Sequence, residues 1–407
     1  MPEPSPPRST PAVDDAPVVH YLQELLEQAV SLKASDIHFE PYELHYRVRM
    51  RIDGLLREIA SPPMALKDRL GSRIKVLSRL DIAEKRLPQD GRMKLTTQAG
   101  RLLDLRVSTL PTLFGEKLVL RILDGQQQNL DLNTLGYEPE DLARLRQAIA
   151  RPEGLLLVTG PTGSGKTQSL YACLHQLNQE EVNIATVEDP CEIALPGINQ
   201  VNVQDKPGLG FAVALRAFLR QDPDILMVGE IRDLETAEIA IQAAQTGHLV
   251  LSTLHTNDAP AALTRLRNMG VAPYNIAASV SLVTAQRLVR RLCPHCRVPV
   301  QLSGAWLASA GWHGQTSQAS AHRVFQANPD GCPQCHKGYS GRTGIFQVMP
   351  VSARMQQMVL AQAGHQELAA QARREGIRSL RQAGLHKVLQ GLTSSEEVLA
   401  ITHQDTE

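Results

Sequence analysis

Residues 155–167 read LLLVTGPTGSGKT. An apolar run at 155–158 predicts a strand. A glycine-rich loop follows, and a helix is expected to open at Thr167. Strand, loop and helix in this order are the context in which the GxxxxGKT pattern holds phosphate. The glycines let backbone N–H groups curl around phosphate oxygens, and the helix N-terminus adds positive potential. Gly160, Pro161, Thr162, Gly163, Ser164, Gly165, Lys166 and Thr167 are therefore the candidate nucleotide contacts. Lys166 is expected at the β- and γ-phosphates and the Thr167 hydroxyl on a magnesium ion, which makes ATP and Mg²⁺ the expected cofactors.

Outward from this loop, apolar strands are expected at 183–187, 224–228 and 248–253, with helices between them and one ahead at 139–149. Short apolar strands alternating with helices predict a parallel sheet covered on both faces, an α/β fold. The strand 224–228 runs into Gly229 and Glu230, and an acid at such a strand end is the candidate general base for the attacking water. Glu188 and Asp189 end the neighbouring strand, and Glu188 could reach a metal through water. His255 follows the strand 248–253, on the same sheet edge, where an imidazole could sense the γ-phosphate. Arg216 and Arg220 stand one helical turn apart and share a face. Spacing alone leaves that histidine and those arginines as ordinary structural or surface residues.

Four of the six cysteines form two CxxC pairs, Cys293/Cys296 and Cys332/Cys335, with 35 residues between the pairs. One turn can present both sulfurs of a CxxC to one ion, and two such turns close a tetrahedral Cys₄ zinc site. Four thiolates leave no open position, so the expected zinc is structural. A redox reading of the pairs fails because they lie outside any βαβ context.

The 407 residues are enough for two or three domains, and 43% hydrophobic with 21% charged residues is a globular composition. Lys plus Arg equals Asp plus Glu at 42 each, so no global field draws the chain to nucleic acid. No apolar run is long enough to span a bilayer and the N-terminus does not read as a signal peptide, so a cytoplasmic chain is expected. The first 17 residues, rich in Pro, Ser and Asp, read as a disordered tail. From Val18 to Asp124 a small α+β domain is expected. It holds a helix through Val18, Leu22, Leu25, Leu26, Ala29 and Val30, and a strand at 44–54. In that strand Tyr46, Val48, Met50 and Ile52 face one way and His45, Arg47, Arg49 and Arg51 the other. A helix at 66–80 and strands near 102–108 and 118–123 complete it. A linker at 125–133, an ATPase core at 134–290, a loop-like zinc subdomain at 291–344 and C-terminal helices at 345–407 follow.

The motifs, taken in order, are ASDIHFEP at 34–41, EKRLPQDGR at 84–92, RVSTLPTLFGEK at 106–117, the glycine loop, TVEDPCEI at 186–193, LRQDPDILMVGEIRD at 219–233, STLHTNDA at 252–259, the cysteine pairs and GYSGRTGIF at 338–346. Together the chain resembles the type II secretion and type IV pilus assembly ATPase family from about His20 onward. The resemblance implies a PAS-like N-terminal domain hinged to a RecA-like motor domain, arranged as a homo-hexamer on the inner face of the inner membrane. It also implies an inner-membrane platform protein as partner and no direct nucleic-acid contact. It assigns phosphate neutralisation to Arg106, Arg121, Arg216, Arg220 and Arg342, and raises His255 to a functional residue. The implied function is ATP hydrolysis that powers pilus or pseudopilus assembly. The motor of a DNA-uptake pilus stays open beside it. A RecA-like nucleic-acid translocase fits less well, because the chain lacks a basic stripe with stacking aromatics, and a non-hydrolysing ATP-binding regulator is at odds with the intact Lys166, Thr167 and Glu230.

Overall fold

The computed structural model describes residues 16–97, 100–123, 130–204, 208–312 and 321–403. Residues 1–15 of the expected tail and 125–129 of the expected linker lie outside the described residues, as do 313–320 and 404–407. The described residues form two compact units, 16–123 and 130–403.

The first unit runs α1 (Ala16–Ser31), β1 (Asp36–Pro41), β2 (Tyr46–Ile52), β3 (Leu55–Ala60), α2 (Lys67–Leu77), β4 (Gln89–Thr96), β5 (Leu102–Thr112) and β6 (Gly115–Leu123). Its six strands form one antiparallel sheet in the order β3-β2-β1-β6-β5-β4. Helix α1 starts inside the stretch read as tail, and it buries Val18, Leu22, Leu25, Leu26 and Ala29 as its 3.6-residue period requires. Strand β2 alternates as expected, with Tyr46, Val48, Met50 and Ile52 buried. Asp53 and Gly54, both at positive φ (50° and 86°), make the two-residue turn into β3. Strands β3 and β4 were not legible from alternation, because β3 buries no residue fully and β4 only Met93.

The second unit contains α3 (Pro139–Ile149), β7 (Gly154–Thr159), α4 (Lys166–Leu177), β8 (Ile184–Glu188), β9 (Asn199–Asn202), α5 (Phe211–Phe218), β10 (Ile225–Val228), α6 (Leu234–Gln245), β11 (Leu249–Leu254), α7 (Ala259–Asn268), α8 (Pro273–Ser279) and β12 (Val280–Leu292). Beyond these lie β13 (Val298–Ser303), α9 (Gly304–Ser309), β14 (Ala321–Gln326), β15 (Tyr339–Pro350), α10 (Ala353–Leu360), α11 (His365–Arg374), α12 (Leu380–Leu389) and α13 (Ser395–Ile401). The main sheet has the order β15-β12-β7-β11-β10-β8-β9, all parallel except β15. Alternate residues feed two cores. Leu155, Leu157, Val187 and Val228 join one, while Leu156, Val158, Met227 and Leu251 join the other. Both faces are covered, so every residue of β7, β8, β10 and β11 is buried.

The region read as loop from Arg291 onward carries strands and a short helix among its described residues. Strands β13 and β14 pair antiparallel beside the short α9, and β15 carries the chain to Pro350 before the expected helices begin. Strands β12 and β15 escaped the sequence because buried Thr284, Gln286, Arg287 and Gln347 interrupt their apolar runs. No described helix is long and apolar enough to cross a membrane.

The β15 edge is closed by Phe346, whose ring stacks on Tyr137 with centroids 3.6 Å apart. A Cβ on Gly344 would lie 2.3 Å from Phe346 Cζ and 3.0 Å from the Leu135 carbonyl oxygen. The stacked ring cannot retreat without losing its partner. Gly344→Ala is therefore expected to cost about 1–3 kcal/mol, the usual penalty of overpacking, read from denaturant unfolding. An unchanged midpoint would mean that the stack yields freely.

Candidate functional site

Strand β7 ends at Thr159, in register with Leu254 of β11 and Ala285 of β12. The chain then turns through Gly160, Gly163 and Gly165, at φ 150°, 79° and 88°, conformations that glycine adopts without strain. Helix α4 starts at Lys166. A Cβ on Gly160 would sit 2.5 Å from the Gln286 carbonyl oxygen and 2.6 Å from Ser164 Oγ, so no other residue fits there. Ser164 is buried, and its hydroxyl has no partner among the described residues. Lys166 Nζ donates to the Gly160 and Pro161 carbonyls at 2.9 and 3.1 Å. Its pKa is lowered by burial, with Arg287 adding to the effect and Glu230 opposing it. A glycine cradle, an orphaned hydroxyl and a half-buried ammonium suit an anion of several charges. Thr167 is exposed in the first turn of α4, where its hydroxyl would hold magnesium.

Parallel strands deliver their C-terminal ends to one edge. Glu230, Asp189 and His255 follow β10, β8 and β11 there. Arg232 Nη2 donates to Glu230 Oε1 at 2.5 Å and lies 3.4 Å from Asp189 Oδ2. His255 Nε2 lies 3.6 Å from Glu230 Oε2. Burial lowers the His255 pKa, and the Lys166 charge lowers it further, so the ring is neutral at pH 7. Glu230 thus keeps one oxygen on an arginine and turns the other toward a neutral imidazole.

Glu188 is placed differently from its neighbour. Its carboxylate, 4% exposed, accepts from Tyr171 Oη, from Thr186 Oγ1 at 2.7 Å and from Gln200 Nε2 at 3.2 Å. Burial and the adjacent Glu188 charge raise the Tyr171 pKa, which keeps its proton on the phenol. With three protein donors in place, Glu188 braces α4 against β8, and Asp189 is the acid of the pair that reaches the Glu230 cluster.

Each of the five arginines has its own surroundings within its unit. Arg216 pairs with Glu235 of α6 at 2.8 Å, and Arg220 donates to the Arg216 carbonyl. Arg342 is exposed on β15 opposite Arg290 of β12. Arg106 and Arg121 stand opposite each other on β5 and β6 of the first unit.

The four cysteines do converge. Their sulfurs lie within 4.8 Å of one another, with 3.7 Å for Cys293–Cys332, 3.5 Å for Cys296–Cys335 and 3.6 Å for Cys332–Cys335. Tetrahedral zinc with Zn–S near 2.3 Å needs sulfurs about 3.8 Å apart. The cage therefore fits zinc. Gly338 closes it from outside, its carbonyl accepting from the Cys293 N–H at 2.8 Å. A Cβ there would lie 2.5 Å from the Asn328 nitrogen.

Sequence reasoning missed Arg232, Tyr171 and Gln286. Arg232 stands two residues from Glu230 and could have been suspected. Tyr171 and Gln286 gave no signal, since each acts on a partner distant in sequence.

The family model described as Type II/IV secretion system protein matches residues 11–400. The type IV pilus assembly ATPase PilB of Acinetobacter baylyi is 56% identical over 391 residues, 96% of this chain and 67% of that protein. Type II secretion system protein E of Klebsiella pneumoniae is 50% identical over 392 residues, 96% of this chain and 77% of that protein. Among solved structures, the Legionella pneumophila ATPase DotB aligns with a TM-score of 0.68 at 20% identity, covering 98% of this chain and 97% of its own. The pilus retraction motor PilT with bound ADP aligns at 0.61 and 23% identity, covering 94% and 96%. These two likenesses concern the fold.

Purified, reduced protein is expected to contain about one zinc per chain. Cys293→Ser removes the most buried ligand, so it should release the metal and lower the thermal midpoint. Metal analysis that finds no zinc in fresh reduced protein would remove the metal centre from this account.

Proposed function

The chain belongs to the type II/IV secretion system protein family, and from that we propose that it is an ATPase whose hydrolysis of ATP powers the assembly of a type IV pilus or of the pseudopilus of type II secretion. One observation carries the chemical part. The glycine loop, Lys166, Glu230 and His255 meet at the C-terminal edge of one parallel sheet, and the chain is about half identical to assembly and secretion ATPases along nearly its whole length.

The loop N–H groups of residues 160–167 hold the phosphates, and Lys166 exchanges its loop carbonyls for phosphate oxygens. Magnesium, held through the Thr167 hydroxyl, would supply neutralising charge. Glu230 takes the proton of the attacking water, with Arg232 fixing its carboxylate and Asp189 balancing that arginine. His255 offers a hydrogen bond beside it. Arg106, Arg121, Arg216, Arg220 and Arg342 are assigned the neutralising of phosphate charge on the motif match alone. Zinc at Cys293, Cys296, Cys332 and Cys335 is closed to substrate and keeps its region folded. The working form is a homo-hexamer that acts on an inner-membrane platform protein from the cytoplasmic side.

Two substitutions separate binding from chemistry. Lys166→Ala is expected to weaken both nucleotide affinity and turnover. Glu230→Gln should keep ATP affinity while turnover falls by on the order of 10²-fold or more. Near wild-type hydrolysis by Glu230→Gln would move the base to Asp189. For the ring, doping wild-type protein with Lys166→Ala subunits should depress ATPase activity more steeply than the fraction added. A linear loss, with hexamers confirmed by light scattering and subunits exchanging, would mean independent subunits.

A further inference from the structure

Gln286 is 2% exposed on β12, one residue past the register pair Ala285–Thr159, and so lies beside the start of the glycine loop. Its Nε2 donates to the Ser164 carbonyl at 2.7 Å, and its Oε1 accepts from Ser169 Oγ of α4 at 2.8 Å. A carbonyl can only accept, so the amide nitrogen must face Ser164 and the oxygen must face the serine hydroxyl. The backbone carbonyl of Gln286 is held in turn by Arg287 Nη1 at 3.0 Å, and Arg287 Nη2 reaches the Asn257 carbonyl at 3.0 Å. The residue is fixed at both its side chain and its main chain.

We propose that Gln286 is a positioning residue of the phosphate loop, which sets the direction of the Gly165 N–H by holding the Ser164 carbonyl. A trans peptide is planar, with its C=O and N–H pointing opposite ways. Drawing the Ser164 carbonyl toward β12 turns the N–H of Gly165 away from β12, into the loop's concave side. That N–H is then ordered before any phosphate arrives, and preorganised donors bind an anion without a reorganisation cost. Two glycines are explained at once. A Cβ on Gly160 would strike the Gln286 carbonyl at 2.5 Å, and one on Gly165 would stand 3.3 Å from the Gln286 amide nitrogen. The Gly160 position must lack a side chain, and a Cβ at Gly165 would push the Gln286 amide aside by a few tenths of an ångström. Ser169, buried one turn into α4, keeps the amide from rotating.

This inference rests on residues 160–167 being the nucleotide loop. It predicts a loss specific to the phosphates beyond the first, because the loop N–H groups surround the β-phosphate and touch little of AMP. Gln286→Met keeps the length and removes both hydrogen bonds. Full-length protein should lose about tenfold in ADP affinity, the equivalent of one good hydrogen bond, with AMP affinity unchanged. A general loosening of the fold would lower both alike. The measurement is competition of ADP and of AMP against a fluorescent ATP analogue, with thermal melting of the nucleotide-free variant alongside. If the wild-type chain itself shows no preference for ADP over AMP, the nucleotide-loop reading fails. If wild type shows the preference and Gln286→Met retains it, the role given to Gln286 is wrong. Should Gln286→Met not fold, Ser169→Ala decides. A loss of a few-fold confined to ADP supports the inference, and unchanged ADP affinity overturns it.

Discussion

Strand β12 is the member on which the second unit's chemistry depends. It lies between β7, which leads into the glycine loop, and β15, which returns from the cysteine cage. Gln286 at its middle grips the loop, and Cys293, the residue after its end, belongs to the four-cysteine cage. Seven residue steps of extended chain separate the two, roughly 23 Å at 3.3 Å per step. The far end of the strand is pinned from the C-terminal helices. Arg290 pairs with Glu397 of α13, Thr393 Oγ1 donates to the Arg290 carbonyl at 2.8 Å, and the Leu292 N–H donates to the Leu392 carbonyl at 2.9 Å. The cysteine cage thus lies at one end of the strand whose middle holds the glycine loop, so whatever fixes the cage also fixes that strand.

The edge cluster shows how one sheet separates two acids with adjacent numbers. Glu188 still belongs to β8, where alternation turns its side chain onto α4 and into the three donors that cage it. Asp189 has left the strand and faces the solvent edge, where Arg232 lies. Burial therefore makes Glu188 a brace, while exposure makes Asp189 a counter-charge. The same logic separates His255 from an ordinary surface histidine, since partial burial and then the Lys166 charge lower its pKa, with Glu230 opposing them.

What the sequence disclosed divides along locality. The glycine loop, the four-cysteine cage, the helix 139–149 and the buried parallel strands were legible because each is written in contiguous residues under a strong periodic or spacing rule. Strands β12 and β15 were hidden because polar residues that serve the site are buried inside them. Gln286, Arg287 and Gln347 break the apolar pattern while satisfying partners elsewhere, the last by accepting the Ala259 N–H at 2.9 Å. The antiparallel pair β13–β14 was hidden for the opposite reason. It buries little, so neither face left an apolar alternation. Sites of chemistry and strands of weak burial are where local sequence rules are expected to fail.

The first unit carries a costly arrangement of its own. Arg92, Arg106 and Arg121 stand abreast on β4, β5 and β6, in direct register. Like charges directly opposite across strands destabilise a sheet. Two acids relieve the row from its flanks. Asp36, 6% exposed on β1, lies 3.0 Å from Arg121 Nε and 3.5 Å from Arg51 Nε, and Asp104 accepts both Arg92 Nε and Nη2 at 2.6 Å. Four residues along β1, Glu40 does the same for Arg49, Arg47 and Lys117; its burial pushes its pKa up, but Arg49 and Lys117 overcome this and hold it down at about 2. Arg121 and Arg92, the outer members of the row, are thus each held by an acid. Acids placed on the flanks thus let the sheet keep in register basic side chains that would otherwise repel one another across the strands.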